Sequence, residues 1–175
     1  MHRLFVAIRP PREVRDLLCS VMGGIPGARW QSEDQLHLTL RFIGNVDGAQ
    51  GDDIATALAH VRASRFTLTL QGAGTFDRRG RIHTLWAGIQ PSEPLERLHR
   101  RVDRTLDTIT PEAQKRAYTP HLTLARFSSS QCPTGALHLP IIPSTTFEVE
   151  SFWLFESILN REGASYLMIE RYELD

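Results

Sequence analysis

Polar and apolar residues alternate through two nearly identical stretches of the chain, His37-Leu38-Thr39-Leu40 and His121-Leu122-Thr123-Leu124. A period of two marks a strand with one covered face. Leu36, Leu38 and Leu40 therefore anchor the first strand on one side, while His37 and Thr39 face the other. Leu122 and Leu124 do the same opposite His121 and Thr123. Arg3–Arg9 carries the apolar run Leu4-Phe5-Val6-Ala7-Ile8 and reads as a central strand. Pro10-Pro11 ends it and opens a helix whose apolar face is Val14, Leu17, Leu18 and Val21. Gly23-Gly24 and Pro26-Gly27 stop that helix. Arg29-Trp30 and the polar turn Ser32-Glu33-Asp34 lead into the first His strand, which Gly44-Asn45 ends. Ile54, Leu58 and Val61 mark a second helix. Phe66, Leu68 and Leu70 alternate with Thr67, Thr69 and Gln71 in a half-buried strand, and Gly72, Gly74 and Asp77-Arg78-Arg79-Gly80 read as a loop.

The pattern then restarts. Thr84-Leu85-Trp86-Ala87-Gly88-Ile89-Gln90-Pro91 resembles Arg3-Leu4-Phe5-Val6-Ala7-Ile8-Arg9-Pro10. A helix follows in both places, here with the stripe Leu95, Leu98, Val102 and Leu106, and then the second His strand. Pro10 precedes His37 by 27 positions and Pro91 precedes His121 by 30. The unit strand–helix–His strand thus occurs twice, over about residues 3–42 and 84–127, within a single domain spanning 1–175. Two such halves related by a rough twofold bring their His faces together across a cleft. The last third is β-rich: Pro133 to Pro143 is a connection, and Phe147, Val149, Phe152, Leu154 and Phe155 belong to one or two strands. Asn160-Arg161-Glu162-Gly163 makes a turn before a closing strand, Tyr166 to Tyr172.

Composition narrows the function. At 175 residues and 41% hydrophobic content the chain can bury a core, and no apolar run approaches the roughly 20 residues a membrane helix needs. The formal net charge is zero, which argues against coating long nucleic acid but leaves room for a pocket that takes one phosphate group. Lys115 is the only lysine; the other cations are arginines, suited to bidentate phosphate contacts. Cys19 and Cys132 show no metal spacing, and two thiols fit a reducing, cytoplasmic setting.

Two imidazoles on facing strands can divide acid and base work, because an ordinary His titrates near pH 6.5. Two Thr hydroxyls beside them can donate to the nonbridging oxygens of a phosphate without a metal. The reaction that fits is in-line attack on a phosphodiester. A zinc site lacks its four ligands, and Gly72-Ala73-Gly74 is too short for a phosphate-cradling loop of an ATP-using transferase.

The paired H-L-T-L phrases resemble the two-histidine phosphoesterases, and within them the RNA 2',3'-cyclic phosphodiesterases, also called LigT-like 2'-5' RNA ligases. The likeness extends through Arg29-Trp30, His37 to Phe42 with Gly44, Gly72 to Phe76, Arg78-Arg79-Gly80, Leu85 to Gly88, Thr119-Pro120-His121 to Arg126, and Phe152 to Ser157 with Gly163 and Tyr166. It departs at Asp77 and Tyr118, where Pro and Phe are common. The resemblance implies an α+β fold of two pseudo-symmetric lobes, with antiparallel sheets lining a central cleft and helices outside. It implies hydrolysis of a 2',3'-cyclic phosphate on an RNA end, tRNA fragments among the candidates, to a 2'-phosphate without metal or nucleotide cofactor. ATP-independent, reversible 2'-5' joining is implied as well. His37 is expected as proton donor and His121 as acceptor, with Thr39 and Thr123 on the phosphate oxygens. Strict alternation turns Arg126 to the opposite face from Thr123, yet the family places an arginine at the site, so Arg126 is expected on the phosphate if its strand bends. Phe42 is a candidate for stacking on a base.

Competing readings are the same site acting on small cyclic nucleotides or ADP-ribose cyclic phosphate, and a nucleotide- or RNA-binding module without turnover. Trp30 and Trp86 read as packing residues; His2, His60, His83, His99 and His138 lack a paired context; Asp103 and Asp107 read as solvated charges on the third helix. A chain with no heptad pattern is expected to be monomeric.

Overall fold

Strand β1 (His2–Ile8) runs through the middle of its half of the sheet and is buried from Leu4 to Ile8. Leu4, Val6 and Ile8 enter the main core, whereas Phe5 and Ala7 join Phe155 in a small second cluster on the other face. The computed structural model describes residues 1–110, 117–160 and 163–175. Part of the turn expected at 160–163, Arg161 and Glu162, lies outside those residues, as does Lys115.

β1 pairs antiparallel with β3 (Leu38–Val46) on one side and with β8 (Ser151–Asn160) on the other, and β8 pairs with β9 (Gly163–Glu173). In the other half β5 (Arg81–Ile89) pairs antiparallel with β6 (His121–Phe127) and with β4 (Phe66–Arg78), and β4 pairs with β7 (Thr146–Val149). The order β7-β4-β5-β6-β3-β1-β8-β9 therefore places innermost β6, which begins at His121, and β3, which begins one residue after His37 rather than at it. They meet at one bridge, Leu38 opposite Leu122. The short β2 (Ala28–Trp30) continues along the same edge of β6.

Helix α1 (Arg12–Ser20) links β1 to β3, and α3 (Glu93–Asp107) links β5 to β6. Leu95, Leu98, Val102 and Leu106 of α3 are fully buried, as their spacing predicts. Ser92 caps α3 by accepting from the Leu95 amide. Helix α2 (Gly48–Leu58) starts from an Asp47–Gln50 capping box and packs on α3. It stops at Leu58, so Val61 is buried beyond the helix, in the turn that follows.

Two local expectations differ. Residues 72–77 belong to β4, not to a loop. Gly72, at φ 65°, lies in a bulge between Leu70 and Ala73 that bends the strand without ending it. The reversal is the two-residue turn Arg79-Gly80 between the paired Arg78 and Arg81, and both turn residues have positive φ, as a type I' hairpin requires. Likewise Gly44-Asn45 does not end β3, which runs on to Val46 against His2.

Candidate active site

Both His strands carry a bulge at the same place. On β3, Ala7 pairs with Thr39 and Val6 with Arg41, so Leu40 is the extra residue. On β6, Trp86 pairs with Thr123 and Leu85 with Ala125, so Leu124 is the extra one. Leu40 and Arg41 are both buried, as are Leu124 and Ala125. An extra residue reverses the alternation beyond it. Phe42 therefore pairs with Phe5 and returns to the His face, and Arg126 pairs with Thr84 and does the same. The bend on which the Arg126 expectation depended is this bulge.

The bridge between Leu38 and Leu122 sets the histidines and threonines together. One residue to either side of it, the antiparallel register brings His37 opposite Thr123 and Thr39 opposite His121, all four on the face away from the leucines. Neither Thr hydroxyl has a hydrogen-bond partner among the described residues. The imidazoles are held alike. Nδ1 of His37 donates to the Gln35 carbonyl at 2.7 Å, and Nδ1 of His121 donates to the Thr119 carbonyl at 2.7 Å. A carbonyl only accepts, so each Nδ1 carries the proton and each Nε2 is the free base of a neutral ring.

Aromatic side chains wall both rings. Phe5 lies 4.9 Å from His37, Tyr166 stands edge-on at 5.0 Å, and Phe155 stacks behind Phe5 at 5.1 Å. Phe76 stands edge-on to His121 at 4.8 Å, with Trp86 at 6.3 Å. Burial is the leading cause that pushes the His37 pKa down to about 4, with the positive charge of Arg126 acting the same way. The His121 pKa is lowered for the same two reasons. Arg126 thus makes itself felt at both imidazoles. Phe42 is half exposed at the rim, and the Arg3 guanidinium lies over its ring at 5.1 Å.

Several contributors escaped the periodicity. The Gln35 and Thr119 carbonyls are backbone atoms and leave no trace in side-chain identity. Phe5, Phe155 and Tyr166 read only as strand residues, and Phe76 fell in the stretch that read as a loop. Trp86, expected to pack, lies beside His121 itself; the signal was its place in the repeated strand, where Phe5, the neighbour of His37, is its counterpart in sequence. Of the remaining histidines, His83 rests against Cys132, with Nδ1 at 3.2 Å from the sulfur, and His99 donates to the Leu40 carbonyl at 2.9 Å. Among the described residues no cluster of three or more His, Cys, Asp or Glu side chains could hold a metal ion. No helix among them is long and apolar enough to cross a membrane.

Two antiparallel half-sheets that present His-x-Thr strands across a cleft are the architecture of a two-histidine phosphoesterase. A model of the 2'-5' RNA ligase superfamily matches residues 6–159, and the chain belongs to that superfamily. It is 32% identical over 154 residues to the RNA 2',3'-cyclic phosphodiesterase of Aeropyrum pernix, covering 82% of this chain and 84% of the relative. It is 28% identical over 180 residues to the protein of that name from Escherichia coli, covering 99% and 97%. The crystal structure of E. coli LigT in apo form superposes with a TM-score of 0.83, at 28% identity and covering 99% of this chain and 97% of that one. LigT complexed with 3'-AMP gives 0.84, with 99% and 98% covered.

Proposed function

We propose that the protein hydrolyses the 2',3'-cyclic phosphate of an RNA end to a 2'-phosphate, using His37 and His121 as its acid–base pair. The observation that carries this reading is the duplicated device at the bridge: two imidazoles, each with Nδ1 tied to a carbonyl, beside two unengaged Thr hydroxyls and Arg126. Water attacks phosphorus while Nε2 of His121 takes its proton. The P–O3' bond breaks, and the imidazolium of His37 gives its proton to the departing 3' oxygen. Thr39, Thr123 and Arg126 hold the nonbridging oxygens as charge builds on them. His37, pushed down so far, is a strong acid once protonated, and the bound anion supplies the charge that favours its protonation. If the 5'-hydroxyl of a second RNA takes the place of water, the same bond changes give a 2'-5' linkage without ATP. Phe42, aimed to the cleft by its bulge, offers a face for the terminal base.

The same reading makes the chain one two-lobed domain, a monomer acting in the cytoplasm on RNA ends such as tRNA fragments; its two free thiols are in keeping with a reducing compartment. The test is hydrolysis of a short RNA ending in a 2',3'-cyclic phosphate with EDTA present. Wild type is expected to form a 2'-phosphate, and His37→Ala and His121→Ala each to lose roughly 10²–10⁴-fold in rate. A 3'-phosphate product would reverse the orientation of the substrate. RNA binding with no turnover would leave a binding module.

A further inference from the structure

Arg29 on β2 pairs directly with Arg126 on β6. Side chains directly opposed in an antiparallel pair share a face, and like charges so placed repel and destabilise the sheet. Neither arginine has a hydrogen bond or a carboxylate partner among the described residues. Arg9, Arg15, Arg41 and Arg171, by contrast, all meet an acid. An uncompensated pair of cations therefore stands at the edge of the cleft.

A cavity of about 120 Å³ opens between them and the start of β9, lined by Arg29, Arg126, Trp30, Gln35 and Tyr166. It adjoins His37 on two sides. Tyr166 is the edge-on neighbour of that imidazole, and Gln35 supplies the carbonyl that holds its Nδ1. A larger cavity of about 440 Å³ shares Gln35, Ala164 and Tyr166 with the first and leads away past Arg9. The charges do not balance with one phosphate. A cyclic phosphodiester carries a single negative charge, which Arg126 meets at the histidines, and Arg29 is left over. On an RNA strand the next anion is the phosphodiester on the 5' side of the terminal ribose.

We infer that Arg29 binds this second phosphate, so that the site takes an RNA end with at least one upstream phosphodiester in preference to a nucleoside cyclic phosphate. The inference rests on the hydrolysis proposed above for the identity of the first phosphate. The larger cavity then lies along the path of the strand beyond it.

The probe is one nucleoside 2',3'-cyclic phosphate, with a free 5'-hydroxyl or with a 5'-methylphosphate diester that adds the second phosphate and no second base. In wild type the diester is expected to have a kcat/KM about ten-fold higher, the worth of one charge-assisted contact. In Arg29→Ala that ratio falls toward one, and in Arg29→Lys it is partly kept. Equal kcat/KM for the two compounds in wild type, or an unchanged ratio in Arg29→Ala, overturns the inference. Should wild type hydrolyse neither compound, the proposed reaction fails, and the subsite is read by binding instead. The affinities for a nucleoside 3'-phosphate with and without the 5'-methylphosphate must then show the same ratio and the same loss in Arg29→Ala. Thermal melting separates a structural role: relief of repulsion raises the Tm of Arg29→Ala, whereas removal of a structural arginine lowers it.

Discussion

At the scale of single residues, packing favours the neutral form of both imidazoles. His37 donates to a carbonyl and is enclosed by Phe5, Phe155 and Tyr166, which leaves little solvation for a proton on Nε2. The sign of the resulting pH dependence follows from the direction of the shift. In the unfolded chain His37 takes its proton near pH 6.5, whereas in the folded protein it does so only near 4. Between those values the unfolded state holds more protons, so stability is full above about pH 6.5 and is lost as pH falls toward 4. Urea unfolding from pH 7 to 4 is expected to show this loss, and His37→Gln to lack its own share of it. The difference between the two curves separates His37 from carboxylates that titrate near the lower limit. That His37 shares a face with Thr39, and His121 with Thr123, was legible from alternation alone. The depth of their burial was not, because the rings around His37 come from residues 5, 155 and 166.

At the scale of elements, the paired bulges decide which side chains share the histidine face. Alternation sends Arg126 and Phe42 away from the histidines, and one extra residue in each strand returns them. A bulge is a relation between two strands, so it cannot be read along one of them. The hairpin of β4 and β5 shows a related limit. Its glycines look like breaks, yet Gly74 serves a close approach: it pairs with Trp86, and a Cβ there would sit 2.3 Å from the indole. Gly74→Ala is expected to displace Trp86 from His121. Overpacking of this kind costs about 1–3 kcal/mol, visible as a lower denaturant midpoint, and kcat should fall with it. An unchanged midpoint would mean that the ring relocates freely and does not support His121.

At the scale of the whole molecule, one bridged pair between β3 and β6 is a thin joint for two half-sheets. Arg41 reinforces it. This side chain is 7% exposed, and its Nη1 donates to Asp103 at 2.9 Å and Asp107 at 2.8 Å on α3, while Nη2 donates to the Thr110 carbonyl. The helix of one half is thereby tied to the His strand of the other. Asp103 and Asp107, read as solvated charges, are instead about two-thirds buried and clamp this guanidinium. His99 adds to the joint, contacting Asp103 at 3.4 Å and stacking on Tyr118 at 3.7 Å, just before the Thr119 carbonyl that holds His121. The double substitution Asp103→Asn, Asp107→Asn leaves a buried cation without its countercharges. A loss of about 3 kcal/mol in unfolding free energy is expected, at the low end for a broken buried pair because the carboxylates are partly exposed. Chemical denaturation measures it, and a loss within about 0.5 kcal/mol would show a surface pair.

The sequence by itself determined the two His-x-Thr strands, their leucine anchors, the repeated strand–helix–strand unit and the helix stripe of α3. These are local facts, since a period of two or of 3.6 states which face a residue takes relative to its own neighbours. Tertiary structure alone decided the return of Arg126 and Phe42 to the histidine face, the opposition of Arg29 and Arg126, the aromatic walls and the depressed imidazoles. Each of these depends on a partner distant in sequence: register is set between strands, burial by what packs on a side chain, and a pKa by the charge and solvent that packing leaves within reach.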